Sequence, residues 1–153
     1  MVRLFRAMRE DASSFPQIGR NVRTLGIRPG KDVPAMLPND LVNPGEGGLS
    51  VSPDDPLNLP YFRRPPEFQG TGQDPVWVFE SNQLGADLYY RADPSHAGHG
   101  FIEPTRTMTL DEFEQAIIGI QKLWQKVLVA VILILLVESY LSGWFRPKQE
   151  VTA

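Results

Sequence analysis

Of the 14 prolines in this chain of 153 residues, all but Pro147 fall between Pro16 and Pro104, and most of the 13 glycines share that stretch. Proline lacks a backbone donor and fixes its own φ, so it stops helices and is confined to sheet edges and bulges. The interval is therefore expected to hold turns and short strands rather than long helices. Turn signals crowd residues 11–46, at Phe15-Pro16, Arg28-Pro29-Gly30, Leu37-Pro38-Asn39-Asp40 and Asn43-Pro44-Gly45. Prolines at 53, 56, 60, 65, 66 and 75 mark residues 53–75 as loop.

Between these breakers, five short segments read as strands. Residues 2–8 (VRLFRAM) alternate loosely, and 49–52 follows a glycine pair. Residues 75–80 (PVWVFE) combine Val with aromatics, and 88–91 (LYYR) and 100–103 (GFIE) complete the set. Thr109 followed by Glu112 forms a capping box, in which the hydroxyl accepts from the third helical N–H and the carboxylate reaches back. Leu110, Phe113, Ile117, Ile120 and Trp124 then recur at helical spacing, so an amphipathic helix is expected to pack on the strands. The Gly70-Thr71-Gly72 run is no phosphate loop, because no Lys-Ser/Thr follows it and no helix starts there.

Length and composition exclude several classes. The chain suffices for one domain with a core. A net charge of −3 argues against a protein whose main work is gripping nucleic-acid phosphates. The absence of cysteine removes disulfides, thiolate metal sites and thiol nucleophiles. His96 and His99 share a Gly/Pro/Ser-rich loop with no third ligand paired to them, so no metal site is expected. The arginine-rich start lacks an apolar signal core, so export by a cleaved signal is not expected.

Composition changes at Lys126. Val127 opens a run, VLVAVILILLV, that is apolar on every face of a helix. At 1.5 Å per residue it spans roughly 16 Å, short of a hydrocarbon core about 30 Å thick. Extension to Phe145 reaches about 28 Å but takes in Glu138, Ser139, Ser142 and Gly143. Lys122, Lys126, Arg146 and Lys148 flank the segment, with Trp124, Tyr140 and Trp144 as interface anchors. An all-apolar helix does not stand in water. The segment therefore folds back into the core, enters a membrane, or packs on another chain.

The block GGLSVSPDDPLNLPYFRRPPEFQGTGQDPVW, followed by HGFIEP, MTLDEF and a Trp, resembles the type VI secretion exported toxin family, and more closely its fungal relatives. The similarity runs from about Leu4 to Trp124, with its most specific motifs in the middle and C-terminal blocks. It implies an α+β fold of ADP-ribosyltransferase type with a split β-sheet; the residue pattern adds the C-terminal amphipathic helix, continuing into a hydrophobic helix after Lys126 that is no part of the resemblance. The domain would occupy 1–126, the hydrophobic helix and membrane tail 127–145, and a polar tail 146–153.

The same resemblance implies a cleft for NAD and transfer of ADP-ribose through an oxocarbenium-like centre. Arg6 would contact phosphate or the nicotinamide amide. Gly47 and Gly48 would admit the flat ring against the backbone, and Ser50 would hold the ribose. Glu103 lies where transferases of this fold keep a catalytic carboxylate. His99 would hydrogen-bond the cofactor, and Arg63 and Arg64 would close over a phosphate. Bacterial members carry Thr-Ser where this chain has Leu49-Ser50, so one hydroxyl is missing. The resemblance implies an unidentified acceptor and an immunity or inhibitor protein as partners; the apolar run adds a membrane at 127–145, on its cytoplasmic face, and the net charge argues against nucleic acid. The alternative is a non-catalytic, membrane-associated accessory subunit that reuses the fold.

Overall fold

A strand needs its two faces covered, and in this chain the two covers come from different places. A computed structural model describes residues 1–128, 137, 138, 140 and 141. The elements are, in order, β1 (Arg3–Ala7), β2 (Leu41–Val42), β3 (Leu49–Pro53), β4 (Val76–Glu80), β5 (Leu88–Ala92), β6 (Gly100–Pro104), β7 (Met108–Thr109), α1 (Leu110–Gly119) and β8 (Gln125–Lys126). The fold is α+β. Among the described residues, one sheet has the order β5-β6-β3-β1-β4-β8, with every neighbouring pair antiparallel, and β2 and β7 form a separate ribbon.

β4 explains why the 75–80 run is apolar without alternation. Trp77 and Phe79 enter the main core with Leu4, Ile102, Phe113 and Ile117. Val76, from the other face, joins Phe5, Leu59 and Phe68 in a smaller cluster. The short 3-10 turns Pro56–Asn58 and Pro66–Phe68 sit in the loop that supplies this second cover. A strand buried on both sides has no polar face to show.

α1 starts as its capping box requires. The Thr109 hydroxyl accepts from the Glu112 amide at 3.2 Å, and the Glu112 carboxylate accepts from the Thr109 amide at 2.9 Å. Leu110, Phe113 and Ile117 are buried along one stripe. The helix does not run on into the tail as expected. It ends at Gly119, a 3-10 turn covers Gln121–Leu123, and β8 then pairs with β4 through Trp77↔Lys126 and Val78↔Gln125. The turn brings Trp124 against Phe79, ring centroids 5.2 Å apart, and fills an edge of the sheet that a straight helix would leave unpaired. Among the described residues no helix is long and apolar enough to cross a membrane. The hydrophobic helix expected over 127–145 falls outside the described residues, apart from Val127, Leu128, Val137, Glu138, Tyr140 and Leu141, as does the tail 146–153.

One feature of the register positions the site. β1 and β3 share only the pairs Leu4↔Pro53 and Phe5↔Ser52. Beyond them β1 continues along β4 through Arg6↔Trp77 and Ala7↔Val76. β3 instead continues along β6, through Ser50↔Phe101 and Leu49↔Ile102. The sheet therefore forks, with Arg6 on one branch and Ser50 on the other.

Candidate functional site

A cavity of about 470 Å³ opens at this fork. Arg6, Ser50, Arg63 and His99, all expected in the site, line it together. Gly47, Gly48, Arg64 and Glu103 do not.

Arg6 leans across the fork and is nearly sealed, at 8% exposure. Its Nη1 donates to the Ser50 carbonyl at 2.8 Å, its Nη2 to Thr24 and Val22 carbonyls at 3.0 and 3.4 Å, and its Nε to Thr24 at 3.3 Å. These bonds tie both branches of the sheet to the 22–24 loop. They leave a single Nη1 hydrogen unspent among the described residues. Carbonyls solvate the charge without cancelling it. Burial, then the neighbouring Arg63, push the Arg6 pKa down to about 10, while Asp32 partly opposes them.

Arg63 comes from the opposite wall, in the proline-rich loop. Its Nη2 donates to the Ala7 and Val22 carbonyls. Its Nε and Nη1 hydrogens have no partner among the described residues, so this guanidinium keeps three N–H donors in reserve, though no complete bidentate edge. Burial lowers its pKa as well, with Asp74 opposing and Arg23 and Arg28 adding. Arg28 also lines the cavity, but Asp32 holds it, Nη2 to Oδ1 at 2.8 Å. Three arginines against one carboxylate leave the lining net positive by two, within a chain of charge −3. A hollow of this kind attracts an anion.

Phe62 lines the same cavity and is 62% exposed, standing edge-on to Tyr61 at 6.2 Å. An exposed aromatic ring in a cavity wall offers apolar area to a flat ligand. His99 closes the other end, edge-on to Phe101 at 4.8 Å, with Nδ1 2.8 Å from Asp93 Oδ2.

The remaining expected residues have other environments. Gly47 adopts φ +111°, and a Cβ there would stand 2.2 Å from the Asp32 carbonyl oxygen. A Cβ on Gly48 would stand 2.2 Å from the Ile102 carbonyl oxygen. The glycine pair thus lets protein backbone approach protein backbone at the start of β3. Arg64 turns away and donates from Nη1 to the Leu57 carbonyl at 3.0 Å. Glu103 is fully buried. Its Oε1 accepts from Arg91 Nη2 at 2.7 Å, and its Oε2 accepts from the Tyr89 hydroxyl at 2.7 Å and the Gly45 amide at 2.9 Å. Burial raises its pKa, but the bonds from Arg91, Tyr89 and Gly45 outweigh burial and hold the carboxyl below the usual range. Trp77 is core, with its Nε1 donating to the Met8 carbonyl at 2.9 Å.

Sequence reasoning missed Arg28, Asp32 and Phe62. The Arg28-Pro29-Gly30 turn was visible, and a turn that carries Asp four residues after Arg can fold the pair onto each other. That signal pointed to the salt bridge but not to the cavity. Phe62 was masked by its proline flanks. Comparison with family models, with curated proteins and with solved structures gives no match.

Proposed function

We propose that the cavity at the fork binds NAD and that the protein is a toxin or effector of ADP-ribosyltransferase type. The observation that carries this reading is the meeting of Arg6 and Ser50 across a hollow whose lining is net positive. A forked sheet with an arginine on the first strand and a serine beyond paired glycines is what the sequence resemblance implies. In this reading Arg63 takes the pyrophosphate with its unspent donors. Arg6 contributes its field and one hydrogen, Phe62 stacks on a ring, and Ser50 holds the nicotinamide ribose. The membrane at 127–145, the acceptor and an inhibitor partner belong to the same proposal.

Calorimetric titration with NAD and with ADP-ribose tests it. Both ligands bind, and Arg63→Gln weakens each by about tenfold or more, the loss of a charge-assisted hydrogen bond. Absence of saturable binding to wild type sinks the reading. A second reading, an accessory subunit that binds without cleaving, is favoured by the closure of Glu103 against Arg91 and Tyr89. Release of nicotinamide from bound NAD decides between the two.

A further inference from the structure

The loop 93–99 joins β5 to β6, and one side chain organises it. The Asp93 amide donates to the His99 carbonyl at 3.0 Å. Asp93 Oδ1 accepts from the Ser95 amide at 2.9 Å and from the Ser95 hydroxyl at 2.7 Å. Its Oδ2 faces His99 Nδ1 at 2.8 Å. The Ser95 hydroxyl, then His99 and the Ser95 amide, hold the Asp93 carboxyl far below the usual carboxylate range, so it is ionised and can only accept. Nδ1 of His99 must therefore carry the hydrogen. In the neutral ring Nε2 then keeps its lone pair, and it has no partner among the described residues. The ring is steadied by Phe101, and Phe101 is the cross-strand neighbour of Ser50.

Resting on the NAD reading above, we propose that His99, positioned by Asp93, is the base of this cavity and that the acceptor it serves is a hydroxyl, of water or of an alcohol. A carboxylate that fixes the imidazole tautomer and leaves the far nitrogen free is the arrangement that makes histidine a proton acceptor. The class of acceptor follows from charge. Arg6, Arg28 and Arg63 line the same space, with only Asp32 against them in the lining. A cationic acceptor is repelled there, and a guanidinium cannot be deprotonated by imidazole. A neutral hydroxyl meets neither obstacle.

The step balances without an oxidant. The bond between the nicotinamide nitrogen and the ribose anomeric carbon breaks, and its electron pair stays on the nicotinamide ring. An acceptor oxygen bonds that carbon, and its proton passes to His99 Nε2 and then to solvent. With water as acceptor the product is ADP-ribose. With an alcohol it is the O-linked adduct.

Three measurements on the full chain test the proposal: imidazole ¹⁵N shifts by NMR, NAD affinity by calorimetry, and nicotinamide release at saturating NAD. The wild-type shifts are expected to report an Nδ1–H tautomer for His99, and Asp93→Ala to abolish that preference. His99→Gln is expected to slow release at saturating NAD by about 10²- to 10⁴-fold, a loss in the turnover step that calorimetry separates from any change in NAD affinity. His96→Gln, outside the cavity lining, is the control for loss of an imidazole beside the Asp93–Ser95 turn, and is expected to change release far less than His99→Gln. Product analysis with and without glycerol separates water from alcohol as acceptor. An Nε2–H tautomer in the wild type overturns the proposal whatever NAD does. Wild-type release rates in His99→Gln overturn it while sparing the NAD reading. Failure of the wild type to bind NAD fells both, and it is recognised because no variant is involved.

Discussion

Arg6 and Glu103 are both buried charged side chains on neighbouring parts of one sheet, yet the protein treats them in opposite ways. Glu103 meets its counter-charge in Arg91 and fills its remaining lone pairs from Tyr89 and Gly45. Nothing is left over, and the carboxyl does not line the cavity at the fork. Arg6 makes its hydrogen bonds only to neutral carbonyls, like-charged arginines stand near it with only Asp32 in partial opposition, and the space beside it is open. A buried charge is stable when paired and costly when it is not. A protein that keeps one uncompensated next to a hollow has left room for an anion. The distinction separates scaffold from site without reference to which residue is more buried.

The sharpest way to break the comparison is at Glu103. Glu103→Ala strands the Arg91 guanidinium, the Tyr89 hydroxyl and the Gly45 amide, and is expected to cost about 3 kcal/mol or more in urea denaturation. Glu103→Gln keeps the side-chain shape and an acceptor for Tyr89 or Gly45, and is expected to cost less. If Glu103→Gln folds as wild type but stops nicotinamide release, Glu103 is a catalytic group and the two regions are one site.

Arg6 comes next in size. Arg6→Met keeps the bulk and removes the charge. It leaves the Thr24, Val22 and Ser50 carbonyls without their donor, beside a cavity that water can enter. The expected loss is about 2 kcal/mol of stability, accompanied by a fall in NAD affinity. A variant that keeps wild-type affinity for NAD makes Arg6 a strut and leaves the anion to Arg63 alone.

The sequence carried the parts of this arrangement that depend on local chemistry. The capping box placed α1, the Val/aromatic run placed β4, and the proline spacing placed the loops. It did not carry what depends on register. The fork exists because Ser52 pairs with Phe5 while Ser50 pairs with Phe101, and no local pattern encodes a change of partner within one strand. The two-residue strands β2, β7 and β8 are too short to display an alternation. The end of α1 was misread for a related reason. Ile120 and Trp124 keep helical spacing and are both buried, but Trp124 reaches the core after the chain has turned. The glycine pair was legible as a close approach, and its partners turned out to be the Asp32 and Ile102 carbonyls.

Acid titration gives the smallest effect and the finest resolution of the two regions. The folded pKa of Glu103 lies below its unfolded value, so the unfolded chain binds more protons through that range and stability rises with pH across it. Its contribution is complete above the unfolded value, about 4.3, and is lost as pH falls through the folded one. Asp93 follows the same sign at still lower pH. Arg6 has its own window at the other extreme. Its folded pKa of about 10 lies below its unfolded value, so its burial penalty is present at neutral pH and is relieved only as pH rises past about 10. Below the unfolded carboxyl value of about 4.3, therefore, the Glu103 contribution is progressively lost while Arg6 keeps its charge. Hydrogen exchange over that interval is expected to accelerate first at the amides of Gly45, Tyr89 and Arg91, while those of Arg6, Thr24 and Ser50 hold until global unfolding. Simultaneous loss at both ends would mean that the fork and the Glu103 network are one cooperative unit, and that the contrast between them is electrostatic alone.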